Sequence, residues 1–305
     1  MAASTARVTS DKRPYVTVVI PTTCESARAG LLPDAIDSAL SQRDVAVEVV
    51  VVVNGARVDE SLLARLPWQA TILRRAEGNV SAARHAGRQA AQGEFTCFVD
   101  DDDRLLPDAL RIRLAVAAAH PDADVIVTNG LESSDGVETP LVAPGRADEI
   151  NRDPRASLLR ANWFGSSAIM VRNATVSSDV FAFDLRYFEW TWLLFALLAQ
   201  GKRVHYDEAM TFWRSGDNPL SASRSAKYFA AYPAFLRELG RLPMSAAHRR
   251  AIESKYQTAL NTLSNQALQD GELGRAWQLH WQCLSDGGWR YAPYTRHLIR
   301  QSMRR

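Results

Sequence analysis

Cysteine is scarce: the chain of 305 residues has three, Cys24, Cys97 and Cys283. Odd in number and far apart, they fit neither a disulfide framework nor the paired spacing of a zinc site. A reducing cytosol is the compartment this predicts. No uninterrupted apolar run approaches the ~20 residues needed to span a bilayer. The first fourteen residues, MAASTARVTSDKRP, lack the apolar core of a secretory signal and read as a polar, flexible tail. An excess of one charge is also missing. Lys and Arg number 36 against 34 Asp and Glu, a net +2, which removes the electrostatic argument for nucleic-acid binding. Gly 16 and Pro 13 exclude collagen-like and low-complexity chains. What remains is 47% hydrophobic and 23% charged, the composition of an ordinary globular protein with one large domain or two medium ones.

The first 130 residues alternate between strand and helix patterns. VTVVI (Val16 to Ile20) is short, apolar and β-branched, as expected of a strand buried on both faces, and Pro21 is expected to stop it. A helical stretch from Leu31 to Gln42 follows, then the strand Val47 to Val53, which ends at Asn54-Gly55. A third strand is predicted over Ala70 to Leu73. The next helix has Asn79 or Ser81 as cap and Gly93 as its stop. Phe95 to Val99 is a fourth strand, running directly into four consecutive aspartates, Asp100 to Asp103. A helix from Pro107 to His120 and a strand over Asp124 to Thr128 complete the series. Such alternation predicts a mostly parallel sheet with helices on both faces. Ligands of such sheets gather at the carboxyl ends of the strands, here the loops after Ile20, Val53 and Val99.

From Leu131 to Asp153 the pattern fades and a long loop is expected. Residues 155–161 read as helix, Ser166 to Val171 as strand, Glu189 to Gly201 as an apolar helix with a glycine cap, and RVHY and EAMTFWR as two short strands. Past Ser221 only helical patterns remain, so a boundary is placed near 220.

Three constellations carry chemistry. Adjacent carboxylates repel, so the aspartate run at a strand end calls for solvent or a cation. Hard divalent ions take one or two carboxylates together with substrate phosphates. A solvated acidic loop is the plainer alternative. Glu189 opens an apolar helix beside Trp190 and Trp192, where burial favours a general base and the helix dipole alone also favours a glutamate. Arg84, His85 and Arg88 lie on a helix that starts at the sheet rim, where its N-terminus and a bidentate arginine suit a diphosphate. His85 and His205 read first as satisfied polar residues. Trp163, Trp190, Trp192 and Trp213 read first as core fillers, although aromatic faces also suit sugar rings.

Taken in order, VTVVIPTTCES, VEVVVVVNG, EGNVSAARHAGRQAAQGEFTCFVDDDDRLLPDAL and FDLRYFEWTWLLFALLAQG followed by YDEAMTFWR resemble the family 2 glycosyltransferases of the GT-A fold, over residues 15–220. The resemblance implies an α/β, Rossmann-like GT-A domain with flanking helices, and a C-terminal helical region over 221–305. It implies an inverting transferase that moves a sugar from a nucleotide sugar, UDP-linked by family habit, to a hydroxyl of a glycan or lipid-linked acceptor in surface polysaccharide or lipopolysaccharide synthesis. By the same resemblance Pro21 and Thr22 contact the nucleotide base. Asn54 stands where the family commonly has an Asp, and Arg84 helps hold the nucleotide. Asp100 and Asp101 contact ribose and nucleotide, while Asp102 ligates Mn²⁺ or Mg²⁺. Glu189 falls at the catalytic base, followed by Trp190 where the family has a second acid. Trp213-Arg214 matches the segment that closes over the diphosphate and acceptor.

Two other classes share parts of this pattern. A haloacid-dehalogenase-type phosphotransferase also has an Asp-x-Asp after a strand, but Arg104 and Leu105 replace the hydroxyl residue that follows in such enzymes. A non-catalytic nucleotide-sugar binding module is compatible with Trp190. From Arg241 onward Lys and Arg outnumber Asp and Glu ten to four, among Trp289, Tyr291 and Tyr294. A basic, aromatic helical end suits peripheral contact with the inner face of a membrane; a solvated face or a dimer contact fits it as well.

Overall fold

A computed structural model describes residues 15–185, 187–216 and 225–303. The expected N-terminal tail, the boundary near 220 and the last two arginines lie outside them. The elements in chain order are β1 (Val16–Thr22), α1 (Leu32–Leu40), β2 (Val47–Asn54), α2 (Glu60–Leu63), β3 (Thr71–Arg75), α3 (Val80–Ala90) and β4 (Phe95–Phe98). Then come β5 (Asp103–Leu105), α4 (Ala109–Ala119), β6 (Val125–Ser134), β7 (Val137–Pro140), α5 (Ala147–Arg152), α6 (Pro154–Arg160) and β8 (Ile169–Arg172). The remaining elements are α7 (Glu189–Ala199), β9 (Val204–Ser215), α8 (Ala226–Leu239), α9 (Ala246–Gln269), α10 (Leu273–Ser285) and α11 (Tyr294–Ser302).

One sheet runs in the order β3-β2-β1-β4-β8-β6-β9-β5, with β7 paired to β6. Its first four strands are parallel and fully apolar at the centre, where Val18, Val19, Ile20, Val50 and Val51 are buried. Helices cover both faces, so these strands need no polar side. Helix α3 lies close on β1 and β2 because Gly87 leaves room; a Cβ there would run into the Val19 and Val52 side chains. Beyond β4 the sheet is mixed: β8 is antiparallel to both neighbours, whereas β6 and β9 pair in parallel.

Several expectations change. Strand β1 continues through Pro21 to Thr22, because β4 has already left its side and proline's missing N–H is tolerated where a strand has one neighbour. Asn79, not Ser81, caps α3 by accepting from the Ala82 N–H. That helix ends at Ala90, and Gly93 instead lets the chain pass Thr17, its N–H donating to Thr17 Oγ1 at 3.0 Å. The loop expected from Leu131 to Asp153 begins as a hairpin and ends in α5: β6 runs on to Ser134 and turns at Asp135-Gly136, both at positive φ, into β7. Asp-Gly is a strong signal for that turn. The two short strands near 204–214 are one long strand with a bulge against Thr128 to Gly130.

The chain forms two compact units that interleave along the sequence. Of the described residues, the first comprises 15–151, 163–185 and 202–216 and holds the sheet. The second comprises 152–162, 187–201 and 225–303 and is helical. Within the second unit, α10 and α8 pack along α9. Asp153 accepts from the Ala156 N–H at the start of α6 and meets His248 Nε2 of α9 at 2.9 Å.

Candidate active site

The aspartate run sits where β4 ends. Asp101 and Asp102 occupy the centre of a tight turn closed by the Asp103 N–H donating to the Asp100 carbonyl at 3.0 Å. Asp103 then begins β5, paired with β9, so the run is part turn and part strand.

Each carboxylate has a cationic partner. Arg84, buried on α3, donates through Nη2 to Asp100 Oδ1 at 2.8 Å. Arg28, at the end of a 3₁₀ turn over Ser26–Arg28, places Nη1 3.2 Å from Asp101 Oδ1 and 3.1 Å from Asp102 Oδ2. Arg214 of β9 lies directly opposite Asp103, with Nε 3.6 Å from Oδ1. Four adjacent acids are thus held by three arginines from different parts of the first unit. Three guanidinium charges against four carboxylates offset most, not all, of the repulsion within the protein.

Polar groups behind the arginines fix the geometry. Thr22 Oγ1 donates to Asp101 Oδ2 at 2.5 Å, and Asn54 Nδ2 donates to the Thr22 carbonyl at 3.0 Å. Both residues are buried, as is Pro21. Of the three, Thr22 touches a carboxylate directly, Asn54 acts on it through the Thr22 carbonyl, and Pro21 precedes Thr22 at the end of β1. Ser167 accepts from the Asp100 N–H at 3.3 Å and donates to Asp103 Oδ2 at 2.5 Å. The Ser167 carbonyl accepts from Arg113, a fully buried arginine that also binds Thr128 and Thr211. Ser167, Arg113 and Arg28 belong to none of the sequence constellations. Only Arg113 left a signal in the sequence, since it shares the buried stripe of α4 with Ala109, Leu110 and Ala117.

The environments separate the acids. Burial works against ionisation of Asp100, but the charge and hydrogen bond of Arg84 outweigh it and hold its carboxyl below the usual range. Burial pushes Asp101 up to about 6 despite Arg28 and Thr22, with Asp102 and Asp100 adding repulsion. Asp103 is raised further by burial, with Asp100 repelling it and Arg214 opposing the shift. Asp100 and Asp102 keep exposed side-chain surface, 31% and 20%, whereas Asp101 and Asp103 are buried.

Strand alternation divides Trp213 from Arg214. Arg214 faces Asp103, whereas Trp213 lies on the opposite face, under the Arg104 guanidinium at 4.2 Å and donating to Glu138 at 3.1 Å. Only Arg214 joins the carboxylates. Trp163 is buried, edge-on to Tyr206 at 5.7 Å, as a core residue.

Glu189 is the first residue of α7, in the helical unit. Its predecessor Phe188 has φ +63 and stacks at 4.7 Å on Phe235 and at 4.2 Å against Tyr228 of α8. A bulky residue in the left-handed region is strained, and this aromatic nest holds it and thereby sets the start of α7.

A metal at the aspartates would meet a donor set made entirely of carboxylate oxygen, with Asp102 reachable from solvent. This fits Mg²⁺ or Mn²⁺ sharing its shell with substrate phosphates. Among the described residues no three His, Cys, Asp or Glu side chains group into a cage able to hold a metal alone.

Residues 17–180 match the profile described as glycosyl transferase family 2. Over 182 residues, 57% of the chain, it is 28% identical to the uncharacterized protein y4gI of Sinorhizobium fredii, covering 19% of that protein. Over 122 residues, 39% of the chain, it is 37% identical to the succinoglycan biosynthesis protein ExoO of Rhizobium meliloti, covering 34% of it. The chain thus spans well under two thirds of these curated relatives. Among solved structures, S. aureus TarS 1-349 in complex with UDP-GlcNAc superposes with a TM-score of 0.61 at 14% identity, covering 94% of this chain and 88% of that one. The same protein in complex with UDP gives 0.54 at 15% identity, over 87% and 80%. At such identity the likeness concerns the fold, which is the GT-A fold that the sequence implies. With more than half of its residues inside the profile, the chain belongs to glycosyl transferase family 2.

Proposed function

We propose that this protein is an inverting glycosyltransferase that takes a sugar from a nucleotide sugar, UDP-linked, and transfers it to a hydroxyl of a glycan or lipid-linked acceptor in polysaccharide synthesis. The observation that carries the reading is the arginine-held aspartate turn at the carboxyl ends of β1 and β4, the rim where ligands of parallel sheets collect. Two findings support the donor and the pathway class: the structural relative is bound to UDP-GlcNAc and to UDP, and one sequence relative acts in succinoglycan biosynthesis.

In this reading Asp102 holds the divalent cation, which when bound stabilises negative charge on the leaving diphosphate. Asp100, kept ionised by Arg84, and Asp101 take the ribose and nucleotide. Arg214 supplies fixed positive charge beside the carboxylates. Glu189 accepts the proton of the acceptor hydroxyl as its oxygen bonds to the anomeric carbon. The bond from that carbon to the diphosphate breaks with its electron pair on the departing oxygen, and the configuration inverts. The exposed Trp281, Trp289 and Met303, together with the exposed Arg296 and Arg300, support a peripheral contact with anionic lipid, which suits a lipid-linked acceptor.

The test is a thermal-shift panel of nucleoside diphosphates with and without Mn²⁺. A ligand at 100 times its dissociation constant adds about 2.7 kcal/mol of stability. A shift with UDP that requires Mn²⁺ and disappears in Asp102→Ala is expected. No shift with any nucleotide would refute the donor site. A covalent phosphoenzyme on an aspartate would favour phosphotransfer instead.

A further inference from the structure

The three arginines of the aspartate turn are anchored very differently. Arg84 belongs to an eleven-residue helix packed on the sheet, and Arg214 to the long strand β9. Arg28 ends a three-residue 3₁₀ turn that has no buried residue. That turn is tied down by polar surface links: Ser26 Oγ donates to Asp59 at 2.7 Å, and the neighbouring Glu25 meets Arg57 at 3.4 Å. Yet Arg28 is the arginine that bridges the two central acids, Asp101 and Asp102, the second of which still has 20% of its side chain exposed.

A divalent ion on Asp102 and the Arg28 guanidinium seek the same oxygens. Two cations sharing those oxygens would repel strongly. An ion arriving alone must therefore dislodge Arg28 and leave it unpaired. An ion arriving with a diphosphate brings Arg28 a new partner, since a planar guanidinium binds phosphate oxygens bidentately. We propose that Arg28 is an internal counter-cation that keeps divalent metal off the empty aspartate turn and moves from the carboxylates to the diphosphate on loading, so that metal and nucleotide bind interdependently. This rests on the donor-site reading above and adds to it a positioning residue that couples the two ligands. By linkage, whatever nucleotide does for metal affinity, metal does equally for nucleotide affinity.

The test is Mn²⁺ binding, followed by the electron paramagnetic resonance signal of the free ion, in the full chain with and without UDP. Without nucleotide, Arg28→Gln should bind Mn²⁺ at least about tenfold more tightly than wild type, because one positive charge has left the site. Arg28→Lys, which keeps the charge, should bind as weakly as wild type. UDP should raise Mn²⁺ affinity strongly in wild type and much less in Arg28→Gln. Equal Mn²⁺ affinity in wild type and Arg28→Gln would overturn the proposal and leave the donor site standing. A wild-type Mn²⁺ affinity that UDP leaves unchanged would also overturn it, and needs no variant to fold. Failure of every form to bind Mn²⁺ with UDP would overturn both the proposal and the donor-site reading.

Discussion

Single residues decide how the acidic turn exists at all. The run Asp100 to Asp103 is plain in the sequence, and so is its need for positive charge. The source of that charge is not, because Arg28, Arg84 and Arg214 come from a 3₁₀ turn, a helix and a distant strand that meet only on folding. Trp213 shows the converse. It adjoins Arg214 in sequence, but the two-residue period of a strand sends it to the other face. The raised carboxyls also give a stability signature. Asp101 and Asp103 in the folded, ligand-free protein titrate above an unfolded aspartate, so the folded state holds more protons between about pH 4 and 7. Stability from these groups is therefore greatest at low pH and falls as pH rises through that window. Asp103→Asn should gain on wild type by about 1–3 kcal/mol between pH 5 and pH 8, read from urea unfolding. A stability of Asp103→Asn relative to wild type that stays constant or falls as pH rises would contradict the environment assigned to Asp103.

At the scale of elements, the apolar β-branched runs announced the parallel strands because burial on both faces leaves no other composition. Boundaries were harder to read where pairing overrides local signals. Pro21 sits inside β1 because its strand has lost one neighbour, and β9 is continuous because a bulge absorbs its irregular middle. The Asp135-Gly136 hairpin was legible in principle and hidden by its polar strands. The aromatic nest around Phe188 had no sequence signal, since α8 lies 38 residues or more beyond Phe188. At the C-terminus, Leu298 anchors α11 while Ile299, Met303, Trp281 and Trp289 remain exposed, the last at 69%. Arg296 and Arg300 are exposed on the same helix. Each arginine near an anionic surface contributes about 1 kcal/mol. The protein should co-sediment with vesicles containing phosphatidylglycerol and should release in high salt. Arg296→Glu with Arg300→Glu should weaken binding by tenfold or more. Equal sedimentation with neutral vesicles would refute the electrostatic contact.

For the molecule as a whole, strand–helix alternation carries most of the information: it implies the parallel sheet, its carboxyl-end rim and the place of the aspartates. The division of the chain is less legible. Helices α6 and α7 fall within residues 15–220, yet they cluster with the C-terminal helices, because helix packing joins segments that no local pattern links. Glu189 therefore stands in one unit and the aspartates in the other. Their separate roles give the most direct test of the central claim, that this chain transfers sugar from a nucleotide sugar. Nucleoside diphosphate release from UDP-sugars should be followed in wild type and in Glu189→Gln, with donor binding measured in parallel. Wild type should release the diphosphate in the presence of Mn²⁺ and an acceptor glycan. Glu189→Gln should lose at least a hundredfold of that release, with donor affinity unchanged. Full turnover in Glu189→Gln would contradict the assignment of the base, and a wild-type protein that binds the donor yet never turns it over would contradict the transferase itself.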